Sequence, residues 1–142
     1  MIRLRCGLWG LWAFCQLAPA CENLVVREAW IREGPPGAAV LAGFGELVNS
    51  GTKSLRITGV DSPRFGHAML HETVYRKGEA RMVAREVIDL APGARVKLAP
   101  GGLHLMLMHG DATVTAGQQV PIDIVCGETR ARFPFVVMRA AP

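Results

Sequence analysis

The sequence predicts an all-β fold, a sandwich or barrel, formed as a single domain behind a signal peptide. Short runs of alternating apolar and polar residues recur along the chain, with turn residues about every ten positions. No stretch longer than a turn or two carries an apolar stripe of helical period. The 142 residues, less a short leader, are enough for one hydrophobic core.

The leader is residues 1–20. Arg3 and Arg5 form a positive head, Cys6 to Leu17 an apolar run with Leu8, Trp9, Leu11, Trp12 and Phe14, and Ala18-Pro19-Ala20 a small-residue cleavage site. That order is the pattern of a secretory signal, too short for a membrane span. Two of the 16 basic residues and none of the 12 acidic ones lie in it, so the net charge falls from +4 to +2 on removal. Scattered charge of that size gives no footprint for nucleic acid. The domain, 21–142, is therefore expected outside the cytoplasm. Cys21 and Cys126 are its two cysteines. Leu17-Ala18-Pro19-Ala20-Cys21 is similar to a bacterial lipoprotein box, which would anchor the protein to a membrane through Cys21. A Cys21–Cys126 disulfide is the alternative in an oxidising compartment.

Along the domain, Asn23 to Glu33 reads as a strand with Trp30 as packing anchor, although neither of its faces is cleanly apolar. Gly34-Pro35-Pro36-Gly37 ends it, and Ala38 to Val48 is a second strand, with glycines that suggest close approach or a bulge. Asn49-Ser50-Gly51 is a turn. Leu55 to Val60 is a third strand, and Phe65 to Tyr75 a fourth that places His67, Met69, His71 and Thr73 on one face. Lys77-Gly78-Glu79 turns into a return strand, Ala80 to Ile88. Asp89 to Gly93 reads as a connection and Ala94 to Leu98 as a short strand. After Ala99-Pro100-Gly101-Gly102, Leu103 to Met108 alternates His104, Met106 and Met108 against Leu103, Leu105 and Leu107. The leucine face reads as core. His109 to Ala112 is a turn or loop, and Gln119 to Cys126 with Arg130 to Met138 forms a last hairpin.

The second histidine–methionine face decides the chemistry. Thioether sulfur and imidazole nitrogen are soft or borderline donors that suit Cu(I) and bind hard cations poorly. His71, Met82, His104 and Met106 follow the spacing H-x10-M-x21-H-x-M. With this spacing, and with the surrounding text "AWIREGPPGAAVLAGFGELVNSG", "HETVYRKGEARMV" and "LAPGGLHLMLM", the chain resembles the PCuAC family of bacterial periplasmic copper chaperones over 21–142. The resemblance implies a cupredoxin-like β-sandwich or barrel in which His71, Met82, His104 and Met106 hold one Cu(I). It further implies delivery of that copper to the CuA centre of cytochrome c oxidase, directly or alongside a second metallochaperone. His67, Met69, Met108 and His109 lie beside the four and could act as alternative or transfer ligands, although His67 and His109 read first as exposed loop or strand-end histidines. Glu72 could orient His71 or be solvated. The chain ends Val137 to Pro142 without the His- and Met-rich tail of many family members, so no tail-borne Cu(II) site is expected.

A blue-copper electron carrier would need a His2Cys set, and no histidine follows Cys126 closely. An enzyme is not expected, since there is no C-x-x-C, Ser-His-Asp or paired-carboxylate arrangement above background. A metal-free β-sandwich serving in protein interaction is the remaining alternative.

Overall fold

The computed structural model describes residues 21–142. The signal peptide read over 1–20 lies outside the described residues. These hold eleven strands and no helix, and so no helix long and apolar enough to cross a membrane. Nine strands form one mixed sheet. Its path runs through β4 (Gly59–Asp61), β10 (Gln119–Cys126), β11 (Thr129–Met138), β1 (Leu24–Arg32), β2 (Val40–Asn49), β9 (Leu103–Gly110), β5 (Phe65–Arg76) and β6 (Glu79–Ala84). β8 (Arg95–Leu98) pairs with β2 beside that path, and β3 (Leu55–Ile57) pairs with β7 (Ile88–Leu90) in a separate ribbon. All pairings are antiparallel except β1 with β11. The path has two free ends, β4 and β6, so the sheet folds over as a sandwich and does not close into a barrel. One core cluster fills it, with Leu47, Leu105, Leu107, Ile122, Ile124 and Phe135 wholly buried.

β1 shows why its sequence had no clean apolar face. Its register against β2 shifts between Arg27 and Trp30, and Glu28 takes φ +49° at that bulge. A bulge inserts one residue and so inverts which parity points inward. Leu24 and Val26 pack on the core before it, Ala29 and Ile31 after it. Trp30 is left on the other side, buried against Phe44 at 4.8 Å between ring centroids, with the Arg32 guanidinium 5.9 Å from its ring. The expected anchor is thus buried but lies outside the main core. Gly45 sits at the bulge with φ +155°, and a Cβ there would come 3.0 Å from the Arg27 carbonyl oxygen.

Two expected strands divide. Leu55–Val60 becomes β3 and β4, which belong to different sheets and part at Thr58, whose amide donates to the Val125 carbonyl. Ala80–Ile88 becomes β6 and the start of β7, so Asp89 and Leu90 are strand residues rather than a connection. The Asn49 turn holds more than its local chain. Asn49 is 1 % exposed, and its Nδ2 donates to the carbonyls of Lys53, Leu90 and Ala91 at 2.8, 3.0 and 3.2 Å. It ties β2 to β7 and to the loop before β8.

The two cysteines form a disulfide, Cys21–Cys126, with Cα atoms 5.6 Å apart. Both are buried. A sulfur engaged in that bond is not available for a lipid thioether, so of the two fates open in the sequence the structure takes the disulfide.

Candidate metal centre

The candidate ligands stand on three adjacent strands, β9, β5 and β6. Their register is fixed from beneath: Leu70 and Leu105 face each other across β5 and β9 and, with Leu107, are buried in the core. A slip of one residue would drive these leucines into solvent and the histidines into the core, so the apolar face determines which residues project outward.

On the outward face the rungs are His67 opposite Met108, Met69 opposite Met106, and His71 opposite His104. Thr73 follows on β5 and is paired with Met82 of β6. Directly opposed residues share a face, so His71, Met82, His104 and Met106 all project from the same side of the three strands. The pairing has an internal logic: Met69-Leu70-His71 runs antiparallel to His104-Leu105-Met106, so mirrored triplets bring like against like. Sequence reasoning placed Met69 on the correct face but missed this pairing. The mirror symmetry of the two triplets was the signal that could have found it.

The two imidazoles are held differently. His104 is 6 % exposed and its Nδ1 lies 3.0 Å from the Gly102 carbonyl oxygen. A carbonyl only accepts, so Nδ1 carries the proton and Nε2 keeps its lone pair when the ring is neutral. The same carbonyl accepts the Thr73 amide at 3.1 Å, which locks the Pro100-Gly101-Gly102 turn onto β5. His71 is half-buried, and its Nδ1 is buried with no hydrogen-bond partner. Burial first, and then the nearby charge of His104, push the His71 pKa below its ordinary value of 6.5. Both effects favour the neutral ring, the form that coordinates metal.

The rings lie 6.2 Å apart between centroids, with planes at 60°. With a metal–nitrogen bond of about 2.0 Å and a ring radius of about 1.2 Å, two imidazoles on one ion have centroids at most about 6.4 Å apart. His71 and His104 therefore lie within the separation at which they can share an ion. Met106 is half-buried beside His104 on β9, between Met69 on β5 and Ala42 on β2. Met82 is different: it is 63 % exposed, on the edge strand β6, one rung beyond the histidine pair. The structure thus brings three of the expected ligands into adjoining positions and leaves the fourth on the rim.

Glu72 does not orient His71. It projects from the opposite face, where its carboxylate pairs with Arg85. Among the described residues no group of three or more His, Cys, Asp and Glu side chains could hold a metal, so the site is one of imidazole and thioether alone. The disulfide also removes Cys126 as a thiolate, and with it the ligand that a blue-copper centre requires.

A family model described as "Putative lipoprotein LpqE-like" matches residues 24–130. The chain belongs to the LpqE-like family. A curated relative, "Putative lipoprotein Lxx21020" of Leifsonia xyli subsp. xyli, is 32 % identical over 104 residues, which are 72 % of this chain and 61 % of the relative. The chain thus spans under two thirds of that relative's length. Among solved structures, the copper-bound PCuAC domain from PmoF2 superposes with a TM-score of 0.68 at 22 % identity, covering 83 % of this chain and 94 % of that one. The apo PCuAC domain from PmoF1 gives 0.67 at 18 %, over 83 % and 95 %. The solution structure of CuI-DR1885 from Deinococcus radiodurans gives 0.61 at 23 %, over 81 % and 77 %. This LpqE-like chain has the PCuAC fold, a β-sandwich, as the sequence resemblance implied.

Proposed function

We propose that this protein is an exported copper carrier that binds one Cu(I) through His71, His104, Met106 and Met82 and passes it to an acceptor. The observation that carries the reading is the His71–His104 rung. Two imidazoles stand within sharing distance of one ion, one with its proton fixed on Nδ1 and the other with a buried, unpartnered Nδ1. The thioether of Met106 adjoins them on the same face. Such a donor set is neutral and soft, which favours Cu(I) over hard divalent ions. Two solved neighbours of the same fold are described as copper-bound and as CuI forms.

The ligand architecture suits transfer. His104 and Met106 are held by a packed strand, whereas Met82 sits exposed on the edge. A ligand on the rim can leave first, opening the ion to an incoming thiolate, which binds Cu(I) more strongly than thioether does. The acceptor we favour is the CuA subunit of cytochrome c oxidase, directly or through a second metallochaperone. The signal pattern and the lipoprotein descriptions of the relatives support a place in the periplasm or an equivalent extracytoplasmic space. The protein acts as a carrier, not a catalyst.

The test is anaerobic Cu(I) titration against a competing chromophoric chelator, with wild type compared to His104→Ala and Met106→Ala. The expected result is a tight equivalent in wild type that both substitutions weaken by more than about tenfold, or about 1.4 kcal/mol. Failure of wild type to compete overturns the reading and leaves the metal-free sandwich as the better account.

A further inference from the structure

The outward face of β5 and β9 does not end at the His71–His104 rung. Four residues back along β5, His67 stands opposite Met108, and at the end of β9 the His109 ring approaches His67 edge-on, 5.7 Å between centroids and at 69°. His109 follows Met108 directly, and in a regular strand its side chain would point to the other face. The regular alternation breaks at this position, because His109 takes φ +56°, a left-handed conformation uncommon for a residue with a side chain. From there the side chain starts beside Gly66, where a Cβ would come 3.1 Å from that of His109, and its imidazole still ends 5.7 Å from the His67 ring. The separation of 5.7 Å also falls inside the limit of about 6.4 Å for two imidazoles on one ion. Both rings are exposed, and Met108 supplies a half-buried thioether on the same rung as His67.

We infer that His67, His109 and Met108 form a second copper station, a shallow outer site on the same face as the main one. The inference rests on the carrier reading above for its cargo. Same-face residues along a strand are about 6.6 Å apart, so His67 and His71 are about 13 Å apart. The Met69–Met106 rung lies midway between them. Its two thioethers are donors of the same kind as those at either end, and Met69 is 40 % exposed. The face therefore reads, rung by rung, as imidazole with thioether, thioether with thioether, and imidazole with imidazole. An ion taken up at the open outer pair can reach the buried pair by exchanging one ligand at a time, without release to water. The outer station binds the more weakly, since its donors are solvated and only Met108 is partly shielded.

The experiment is anaerobic titration of the protein with Cu(I) against two chromophoric chelators of different strength. Wild type is compared with His67→Gln/His109→Gly and with His71→Ala/His104→Ala. Glycine at 109 removes the imidazole and accepts the positive φ without strain, so the fold is not at risk. Wild type is expected to take two equivalents, one tight and one weaker. The outer variant keeps only the tight one, and the inner variant only the weaker one. Imidazole 15N shifts of His67 and His109 should move with the second equivalent. A wild type that saturates at one equivalent, unchanged in the outer variant, overturns the outer station and leaves the carrier reading intact. One equivalent lost in the outer variant and kept in the inner one sinks the main site instead. A second equivalent that persists without His67 and His109 also overturns the station, and uptake of none overturns both.

Discussion

His71 and His104 face each other across β5 and β9 with unequal support: the Gly102 carbonyl holds Nδ1 of His104, while Nδ1 of His71 is buried and satisfied by nothing. A buried polar atom without a partner destabilises the metal-free protein by about 1–3 kcal/mol. Natural sequences keep such an atom where function requires it.

That asymmetry predicts a trade between binding and stability. His71→Leu, of similar bulk but without the orphaned nitrogen, should raise the thermal midpoint of the apo protein while weakening Cu(I) binding more than tenfold. Melting curves with and without Cu(I) check it. A fall in apo stability together with intact binding would remove His71 from the site.

The pH response follows from the direction of the His71 shift. Its pKa is pushed below 6.5, by burial first and then by the charge of His104. Its contribution to folding is therefore complete above the unfolded value of 6.5 and is lost as pH falls through the lower folded value. Proton competition with copper at His71 should set in only below 6.5. An imidazole NMR titration of the apo protein is the check, and a His71 midpoint above 6.5 would contradict it.

Asp123 predicts an acid-sensitive contact far from the ligands. On β10 it is 3 % exposed and accepts two hydrogen bonds from Arg132 at 2.6 and 2.9 Å. The hydrogen bond from Arg132 is the main cause that holds its pKa below 3.8, against the opposing effect of burial. Its stabilising effect is present above 3.8 and disappears as pH falls through the folded value. Asp123→Ala should cost about 1–3 kcal/mol at neutral pH and much less in acid, measured by urea unfolding. Copper binding should not change.

Asn49 predicts a larger loss. Replacing it with Ala strips a donor from three carbonyls at once and should destabilise by about 2–3 kcal/mol in the same assay. The ligand strands β5 and β6 are not bonded by it, so the Cu(I) equivalent should persist at lower temperature.

Much of this was legible from parity alone. The leucines of 103–108 face the core and the histidine and methionines face out, because a strand buried on one side admits only that alternation. Register was not legible from parity: parity says that Met69 and Met106 both face outward, and only the mirrored order of the two triplets says that they meet. The strands that divided did so where the chain changes sheets, and segments of three residues such as β3 and β7 are too short to show a period of their own. The inversion in β1 needed the bulge, and the bulge depends on a glycine in the neighbouring strand. The partner of Glu72 proved to be Arg85, a contact made only when β5 is in place.

The Cys21–Cys126 bond has one more effect. It joins positions 105 apart, so every strand from β1 to β10 lies inside a single covalent ring. A protease cut at the exposed Lys77-Gly78 corner would open that ring without parting it. The piece bearing His71 and the piece bearing Met82, His104 and Met106 would remain one molecule until a reductant reached the buried sulfurs.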